Sequence, residues 1–506
     1  MAIGTQQTSQ TYTATDNGQS YRGPLIMVTT LFFMWGFLTC LNDILIPHLK
    51  AIFDLSYAQV MLVQFAFFGA YAVFSIPAGF ITEKLGYKPM MVAGLLTMAL
   101  GALLFVPAAS IPSFPLFLAA LIILAGGITV LQVAANPYVA LLGPPKTASA
   151  RLTLTQAFNS LGTTIAPLFG GILILATAPK TAEQIAKLLP AELQTYRIEQ
   201  ASSVKLPYVG IAVALVLLAI IIGRFHLPRI TSAEGGHAAV KDDSIWKHPN
   251  LVMGALGIFT YVGAEVAIGS FLVNYMHDPQ IRNLSLETAA KFLIFYWGGA
   301  MVGRFIGSSV MGGAKATRMG LVSAASILLV LVSRLLGSNM GYGDQPGLLG
   351  SLLRQVIWVL VEGRPLWVLI ALATAAIAIL AALHGGRITA KPRPSLAICA
   401  ISACVLVTTS MLISGSGAMW SLLFIGFFNS IMFPTIFTLG IEGLGPLTGE
   451  ASGMLNTAIV GGAVIPLIQG FIADRIGIHH AFFLPAICYL YIVFFALKGT
   501  PRAKAA

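Results

Sequence analysis

Residues 132–143 are Gln-Val-Ala-Ala-Asn-Pro-Tyr-Val-Ala-Leu-Leu-Gly, and residues 429–440 are Asn-Ser-Ile-Met-Phe-Pro-Thr-Ile-Phe-Thr-Leu-Gly. The two stretches align without a gap at a distance of 297 residues, and each has proline at its sixth position and glycine at its end. A shorter pair, Pro167–Gly171 and Pro466–Gly470, aligns at a distance of 299 residues. An internal repeat over this distance indicates that the chain consists of two related halves.

Both copies of the repeat lie in long apolar runs. Hydrophobic residues make up 57% of the 506-residue chain and charged residues only 9%, whereas an average soluble domain has about 25% charged residues. Such a chain has too few polar side chains to cover the surface of two or three soluble domains. We therefore expect an all-α polytopic membrane protein.

Fourteen apolar runs have about the length that a membrane span requires. They lie at about 24–47, 59–82, 88–108, 113–142, 152–177, 206–227, 250–276, 287–312, 317–337, 366–384, 394–414, 418–440, 450–473 and 479–498. A polar stretch separates the sixth run from the seventh.

The distance between matching residues in the two halves is not constant. Phe33 and Trp35 of the first span align to Phe259 and Tyr261 at a distance of 226 residues, and later matches are 297 residues apart. About 71 additional residues must therefore lie in the second half, which is enough for two spans and a loop. We assign this inserted pair to about 316–391, which leaves twelve core helices arranged as six plus six.

The distribution of Lys and Arg predicts the orientation. With the N-terminus inside, cytoplasmic segments hold 17 of these residues and outer segments 11, as the positive-inside rule requires. The net charge of +11 then reflects membrane orientation and gives no reason to expect a nucleic-acid partner. The remaining basic residue, Arg304, lies toward the inner end of its span, where its side chain could extend to the membrane surface.

These observations predict the domain organisation and location. We expect a monomeric, multi-pass protein of the cell inner membrane, in contact with the lipid bilayer and with both termini cytoplasmic. Its segments are a disordered tail at 1–22, a six-helix half at 23–228, a linker at 229–249, a second half with the inserted pair at 250–498, and a tail at 499–506.

The loop after the second span carries a motif, Gly79-Phe-Ile-Thr-Glu83-Lys84-Leu-Gly86-Tyr-Lys88, and a second copy begins at Gly470. Together with parallel six-span halves, this motif is typical of major facilitator transporters. The prolines at 137 and 434 are expected to kink their helices, which membrane proteins tolerate when the released carbonyls find other partners.

Several stretches of the chain resemble the fucose–galactose–glucose permease family of the major facilitator superfamily, and within it bacterial glucose/galactose transporters. The stretches that carry the resemblance are Leu41–Pro47, Ala134–Pro137, Gln156–Ser160, Tyr261–Ala264, Gly303–Phe305 and Phe433–Gly440. Fucose–proton symporters of this family have glutamate where this chain has Gln132, so their two-carboxylate coupling scheme does not transfer directly.

The expected function is uptake of a hexose, glucose or galactose first, by symport with a cation through alternating access. A proton is favoured, while a sodium-coupled sugar symporter, a fucose–proton symporter and a drug or metabolite exporter remain alternatives. We expect no enzyme, since the sequence has no HExxH, GxSxG or Walker A motif. We also expect no cofactor and no metal centre.

Two acidic residues, Asp43 and Glu265, lie well within predicted spans. Carboxylates in the membrane are costly and are by default functional, so these two are the candidates for cation coupling. A structural contact is the alternative for each.

Amide and aromatic side chains in the spans are the candidates for sugar binding, because amides donate and accept together and aromatic faces suit the apolar side of a sugar. Several share a helix face by their spacing, although any single amide could instead join helices. They are Trp35, Thr39, Asn42, Gln132, Asn136, Gln156, Asn159, Trp297, Asn429 and Asn456. The loop-motif residues Gly79, Glu83, Lys84, Gly86 and Lys88 are expected to act in the conformational change.

Overall fold

The structure, a computed structural model, describes residues 21–53, 57–111, 113–173, 188–202, 204–228, 244–284, 286–312 and 391–497. The regular secondary structure of these residues is helical. The α-helices in chain order are α1 (Arg22–Phe53), α2 (Tyr57–Leu85), α3 (Tyr87–Ser110), α4 (Phe114–Leu141), α5 (Ala148–Leu173), α6 (Pro190–Ser202), α7 (Lys205–Arg224), α8 (Pro249–His277), α9 (Leu286–Met311), α10 (Pro392–Leu412), α11 (Gly415–Asn429), α12 (Met432–Gly440), α13 (Thr448–Thr457), α14 (Gly461–Ile476), α15 (Ile478–Ala481) and α16 (Phe483–Leu497).

Ten helical segments among the described residues are long and apolar enough to cross a membrane. They coincide with ten of the predicted runs, and α5 and α9, with 26 residues each, cover two more. The all-α membrane fold is confirmed. The runs at 317–337 and 366–384, and with them the inserted pair, lie outside the described residues, so the count of fourteen stays a prediction.

Local sequence explains where several of these helices begin and end. Proline occupies the first turn of α8 and of α10, where its missing N–H leaves no helical bond unmade. Gly86 separates α2 from α3 with a φ of 87°, and Gly477 separates α14 from α15 with a φ of 84°. Glycine adopts this left-handed backbone without the steric cost of a Cβ atom, so both turns can be short.

The helices that precede residue 229 and those that follow residue 243 each pack mainly among themselves. In the first group α3 packs on α4 and α7, and α1 packs on α5. In the second group α8 packs on α14 and α16, and α9 packs on α11. The two groups meet where α2 and α4 contact α13, and where α5 contacts α9 and α12.

Among the described residues, close contacts between the groups lie at the end of the bundle that carries the α2–α3 turn at Gly86 and the loops after α4 and α12. We call it the motif end. A Cβ atom at Gly79 would lie 2.8 Å from the carbonyl oxygen of Gly449, so α2 and α13 touch through their backbones. The hydroxyls of Ser149 in α5 and Thr438 in α12 are 2.6 Å apart and hydrogen-bonded. The motif end is therefore closed.

Candidate functional site

The repeat residue Gln132 lies on the buried face of α4. Its Nε2 donates a hydrogen bond to the hydroxyl of Tyr71 in α2, with 2.8 Å between the two atoms. Both side chains are more than 90% buried. Because a buried amide is costly unless it is hydrogen-bonded, this pair fixes α2 and α4 relative to one another and leaves the amide oxygen of Gln132 as an acceptor.

The residues predicted on α1 and α5 meet where these two helices pack. Asn159 Nδ2 donates to the carbonyl oxygen of Phe32 at 3.0 Å, and the ring of Trp35 lies 4.0 Å from that of Phe32, centroid to centroid. Thr39 Oγ1 donates to the Trp35 carbonyl at 2.8 Å. Gln156 is buried one turn before Ser160.

For two predicted residues of α1 the structure describes the backbone only. Asn42 and Asp43 belong to the helix, but their side chains lie outside the described part of the structure. The coupling role of Asp43 and the binding role of Asn42 therefore remain predictions.

Asn429, the repeat counterpart of Gln132, lies at the centre of a cluster of tyrosines. Its Nδ2 donates to the hydroxyl of Tyr296 at 3.0 Å, and its Oδ1 accepts from the hydroxyl of Tyr489 at 2.8 Å. The hydroxyl of Tyr261 donates to its backbone carbonyl at 3.1 Å. The cluster joins α8, α9, α11 and α16 by buried hydrogen bonds.

Glu265 in α8 lies beside this cluster and faces a basic residue. Its Oε1 is 3.7 Å from a terminal guanidinium nitrogen of Arg304 in α9. Arg304 also donates from Nε to the carbonyl of Ser430 at 3.3 Å and from a second terminal nitrogen to the hydroxyl of Ser160. The side chain of Arg304 therefore lies inside the bundle, held by partners on α8, on α5 and in the turn after α11. The expectation that it extends to the membrane surface is wrong.

Three of the predicted binding residues make no hydrogen bond to these clusters in the described part of the structure. Trp297 is 42% exposed, unlike its fully buried neighbour Tyr296. Asn456 is fully buried and donates to the carbonyl of Ser452 in its own helix at 2.8 Å. Asn136 is fully buried, and neither polar atom of its amide has a hydrogen-bond partner among the described residues.

The loop-motif residues lie together at the motif end. Glu83 Oε1 accepts a hydrogen bond from the backbone N–H of Glu450, the third residue of α13, at 2.8 Å. Lys84 lies in the last turn of α2, and Lys88 lies in the first turn of α3, beyond Gly86. The carboxyl group of Glu83 thus binds the N-terminus of a helix from the other group.

The sequence interpretation missed the residues that complete these clusters. Tyr71, Tyr296 and Tyr489 are buried with hydroxyls bound to the repeat amides, and Ser160 and Arg304 connect α5 with α9. A signal existed only for Arg304, the one basic residue that the topology placed inside a span. The tyrosines gave none, because a buried aromatic residue is ordinary in an apolar helix.

No cluster of three or more His, Cys, Asp or Glu residues that could hold a metal ion occurs within the described ranges. The polar groups of these clusters are amides, hydroxyls and one acid–base pair. Their chemistry suits the binding of a neutral, polyhydroxylated molecule.

Comparison with known proteins agrees with this chemistry. The family model described as the Major Facilitator Superfamily matches residues 26–361. The chain is 43% identical over 500 residues to the glucose/galactose transporter of Brucella abortus, covering 99% of this chain and 100% of that protein. It is 32% identical to the L-fucose-proton symporter of Escherichia coli, covering 96% of each.

A solved structure also matches the fold. The crystal structure of the transporter FucP in the outward conformation superimposes with a TM-score of 0.74 at 30% identity, covering 96% of this chain and 100% of the other.

Proposed function

Since the chain belongs to the Major Facilitator Superfamily, we propose that it takes up a hexose, glucose or galactose, by symport with a cation through alternating access. As a member of this superfamily it is a multi-pass membrane transporter and not an enzyme. The observation that carries the proposal is the pair of repeat amides, Gln132 and Asn429, each buried and bound to tyrosine hydroxyls near the contact between the two helix groups. The names of its relatives support the same substrate class.

The amides and tyrosine hydroxyls of these clusters can bind sugar hydroxyls without a charged partner for each one. An amide offers both a donor and an acceptor, and in Gln132 the bond from Nε2 to the Tyr71 hydroxyl leaves the oxygen as the acceptor. Groups held in this way by neighbouring helices lose little freedom when the sugar binds, which favours affinity. Gln132 would serve from α4, and Gln156 and Asn159 from α5. The predicted aromatic contact is Trp35.

Alternating access requires that contacts between the helix groups break at one end as they form at the other. The motif end is closed by the Ser149–Thr438 and Glu83–Glu450 hydrogen bonds and by the backbone contact at Gly79. We place this end at the cytoplasm, since it carries the loop motif, with both termini on the same side. The structure then represents a state closed to the cytoplasm.

Cation coupling is assigned to Asp43, with Glu265 as the second carboxylate. A proton symporter needs a carboxylate that binds and releases its proton as the cavity changes sides, and a sodium symporter needs oxygen ligands. Glu265 faces Arg304, whereas Asp43 is the only other acidic residue predicted within a span. We favour a proton as the coupling cation, with sodium as the alternative. Fucose is the alternative to glucose or galactose as the sugar. A drug or metabolite exporter fits the amide clusters less well.

The proposal also covers the location of the transporter and the organisation of its chain. The transporter resides in the inner membrane as a monomer, surrounded by lipid. The inserted pair at about 316–391 is an accessory hairpin outside the twelve core helices, and the two halves extend over 23–228 and 250–498.

Uptake into proteoliposomes tests the proposed function. Radiolabelled glucose, galactose and fucose are supplied with an imposed proton gradient, an imposed sodium gradient or neither. We expect accumulation of glucose or galactose only with a cation gradient, and faster with the proton gradient. Uptake of none of the three sugars under any gradient would contradict the proposal.

A further inference from the structure

The side chain of Arg304 is mostly buried well inside α9. It lies seven residues before the end of α9, which is ~10 Å along the helix axis. Its side chain is 13% exposed. A guanidinium at this depth is costly and marks a functional site by default.

Within the part of the chain that the structure describes, the hydrogen bonds of Arg304 leave some of its donors without a partner. Pro434 has no backbone N–H, so the carbonyl of Ser430, four residues earlier, has no helical partner and accepts from Arg304 Nε at 3.3 Å. One terminal nitrogen donates to the hydroxyl of Ser160. A guanidinium has five N–H donors, and these two bonds account for two of them.

The hydrogen bonding of the facing Glu265 carboxylate is likewise incomplete in the described part of the structure. Oε1 of Glu265 is buried and has no hydrogen-bond partner among the described residues, since 3.7 Å to Arg304 is too long for a hydrogen bond. Among the described side chains, Arg304 and Glu265 therefore place unpartnered donors next to an unpartnered acceptor.

This pair lies beside the predicted sugar residues of the other helix group. Ser160 follows Asn159 directly, and its hydroxyl also contacts the carbonyl of Gln156 at 3.3 Å. The rings of Phe158 and Phe305 meet edge to face at 5.8 Å across the same contact between α5 and α9. Arg304 thus reaches from the C-terminal helices to the turn of α5 that carries Gln156 and Asn159.

We propose that Arg304 and Glu265 form a sugar-binding subsite that takes two adjacent hydroxyls of the hexose. One hydroxyl accepts from the guanidinium and replaces Ser160 as its partner, while the neighbouring hydroxyl donates to Glu265 Oε1. Hydrogen bonds to charged groups are stronger than neutral ones, and a site built to bind a hydroxyl rejects a sugar that lacks it. This inference rests on the proposed sugar transport and adds a specificity-determining residue to it.

The test combines variants of the protein with variants of the sugar. Binding of glucose and of its 2-, 3-, 4- and 6-deoxy derivatives to the purified full-length protein is measured by calorimetry. For the wild type, removal of a hydroxyl bound by the subsite should weaken binding roughly ten- to hundredfold. In Arg304→Gln that penalty should fall below about threefold, while penalties at the other hydroxyls persist.

Two further variants separate binding from a structural role. The double variant Arg304→Gln/Glu265→Gln leaves no unpaired charge and should show the same loss of discrimination if the single variant is unstable. Ser160→Ala removes the one hydroxyl that Arg304 contacts across the helix groups but keeps the guanidinium, and it should retain wild-type discrimination. Deoxy-sugar penalties that stay unchanged in both Arg304 variants would overturn the subsite, whereas a wild type that binds none of the hexoses would overturn the proposed function itself.

Discussion

Pro137 and Pro434, which hold the same position in the two copies of the repeat, each release one backbone carbonyl that a side chain of another helix binds. Proline removes the bond to the residue four positions earlier. The released carbonyl of Val133 accepts from the hydroxyl of Ser452 in α13 at 2.8 Å, and that of Ser430 accepts from Arg304 at 3.3 Å. The two prolines therefore leave carbonyl acceptors at places where neighbouring helices contact each other.

The first prediction concerns the carboxylate of Glu83 at the motif end. Glu83→Ala removes the side-chain oxygen that accepts from the N–H of Glu450, a loss of about 0.5–1.5 kcal/mol. We expect this end to open more often, seen as a longer distance between spin labels at the exposed positions 84 and 246 in a cysteine-free background. Glu442→Gln, an exposed substitution in the loop after α12, is the control. Equal distances in the two variants would argue against a role for this hydrogen bond.

The second prediction compares two threonines on α12. Thr438 Oγ1 is bound to Ser149, whereas Oγ1 of Thr435 is buried without a partner among the described residues. Thr438→Val leaves Ser149 unpaired and should destabilise the closed state by ~1–3 kcal/mol. Thr435→Val removes an unpaired polar atom and should stabilise it. Thermal unfolding in detergent checks both, and shifts of the same sign would contradict the assignment.

The third prediction concerns Gln132. Gln132→Ala should weaken glucose and galactose binding by ~1–3 kcal/mol, the cost of a lost buried hydrogen bond. Tyr71→Phe keeps the amide and should have a smaller effect on calorimetric affinity, because it removes the partner and not the binding group. Asn159→Ala should also weaken binding, by a similar amount. Unchanged affinity in Gln132→Ala and Asn159→Ala would show that these amides only join helices.

The fourth prediction concerns the stability of the tyrosine cluster. Asn429→Ala leaves the hydroxyls of Tyr296 and Tyr489 without their amide partner and should cost ~2–5 kcal/mol. Asn456→Ala, which removes bonds confined to its own helix, is the matched control and should cost less. Chemical or thermal unfolding of the purified variants measures the difference. A cost for Asn429→Ala no larger than for the control would contradict this assignment.

The fifth prediction concerns coupling. Asp43→Asn mimics the protonated carboxylate with little change in volume, so it should abolish gradient-driven accumulation while sugar binding and exchange between preloaded pools remain. Glu265→Gln should have a smaller effect on accumulation. Transport into proteoliposomes separates the two, and accumulation by Asp43→Asn against a gradient would exclude Asp43 as the coupling site.

The sequence alone was sufficient for the fold class and for the equivalence of Gln132 and Asn429. Both conclusions depend on properties of short stretches: twenty apolar residues must cross a bilayer as a helix, because its backbone polar groups find no other partners in hydrocarbon. A gapless repeat also needs no knowledge of how helices pack. The same reasoning predicted that carbonyls released by Pro137 and Pro434 need other partners.

The partners themselves were decided by tertiary structure. Tyr71 is 61 residues from Gln132, and Tyr296 is 133 residues from Asn429. Which face of each helix turns toward which neighbour depends on the packing of all the helices together, since apolar faces that contact lipid and apolar faces that contact protein look alike in sequence. For the same reason Arg304 could be placed within a span but not beside Glu265 and Ser160, where a buried charge finds the hydrogen bonds that make its position tolerable.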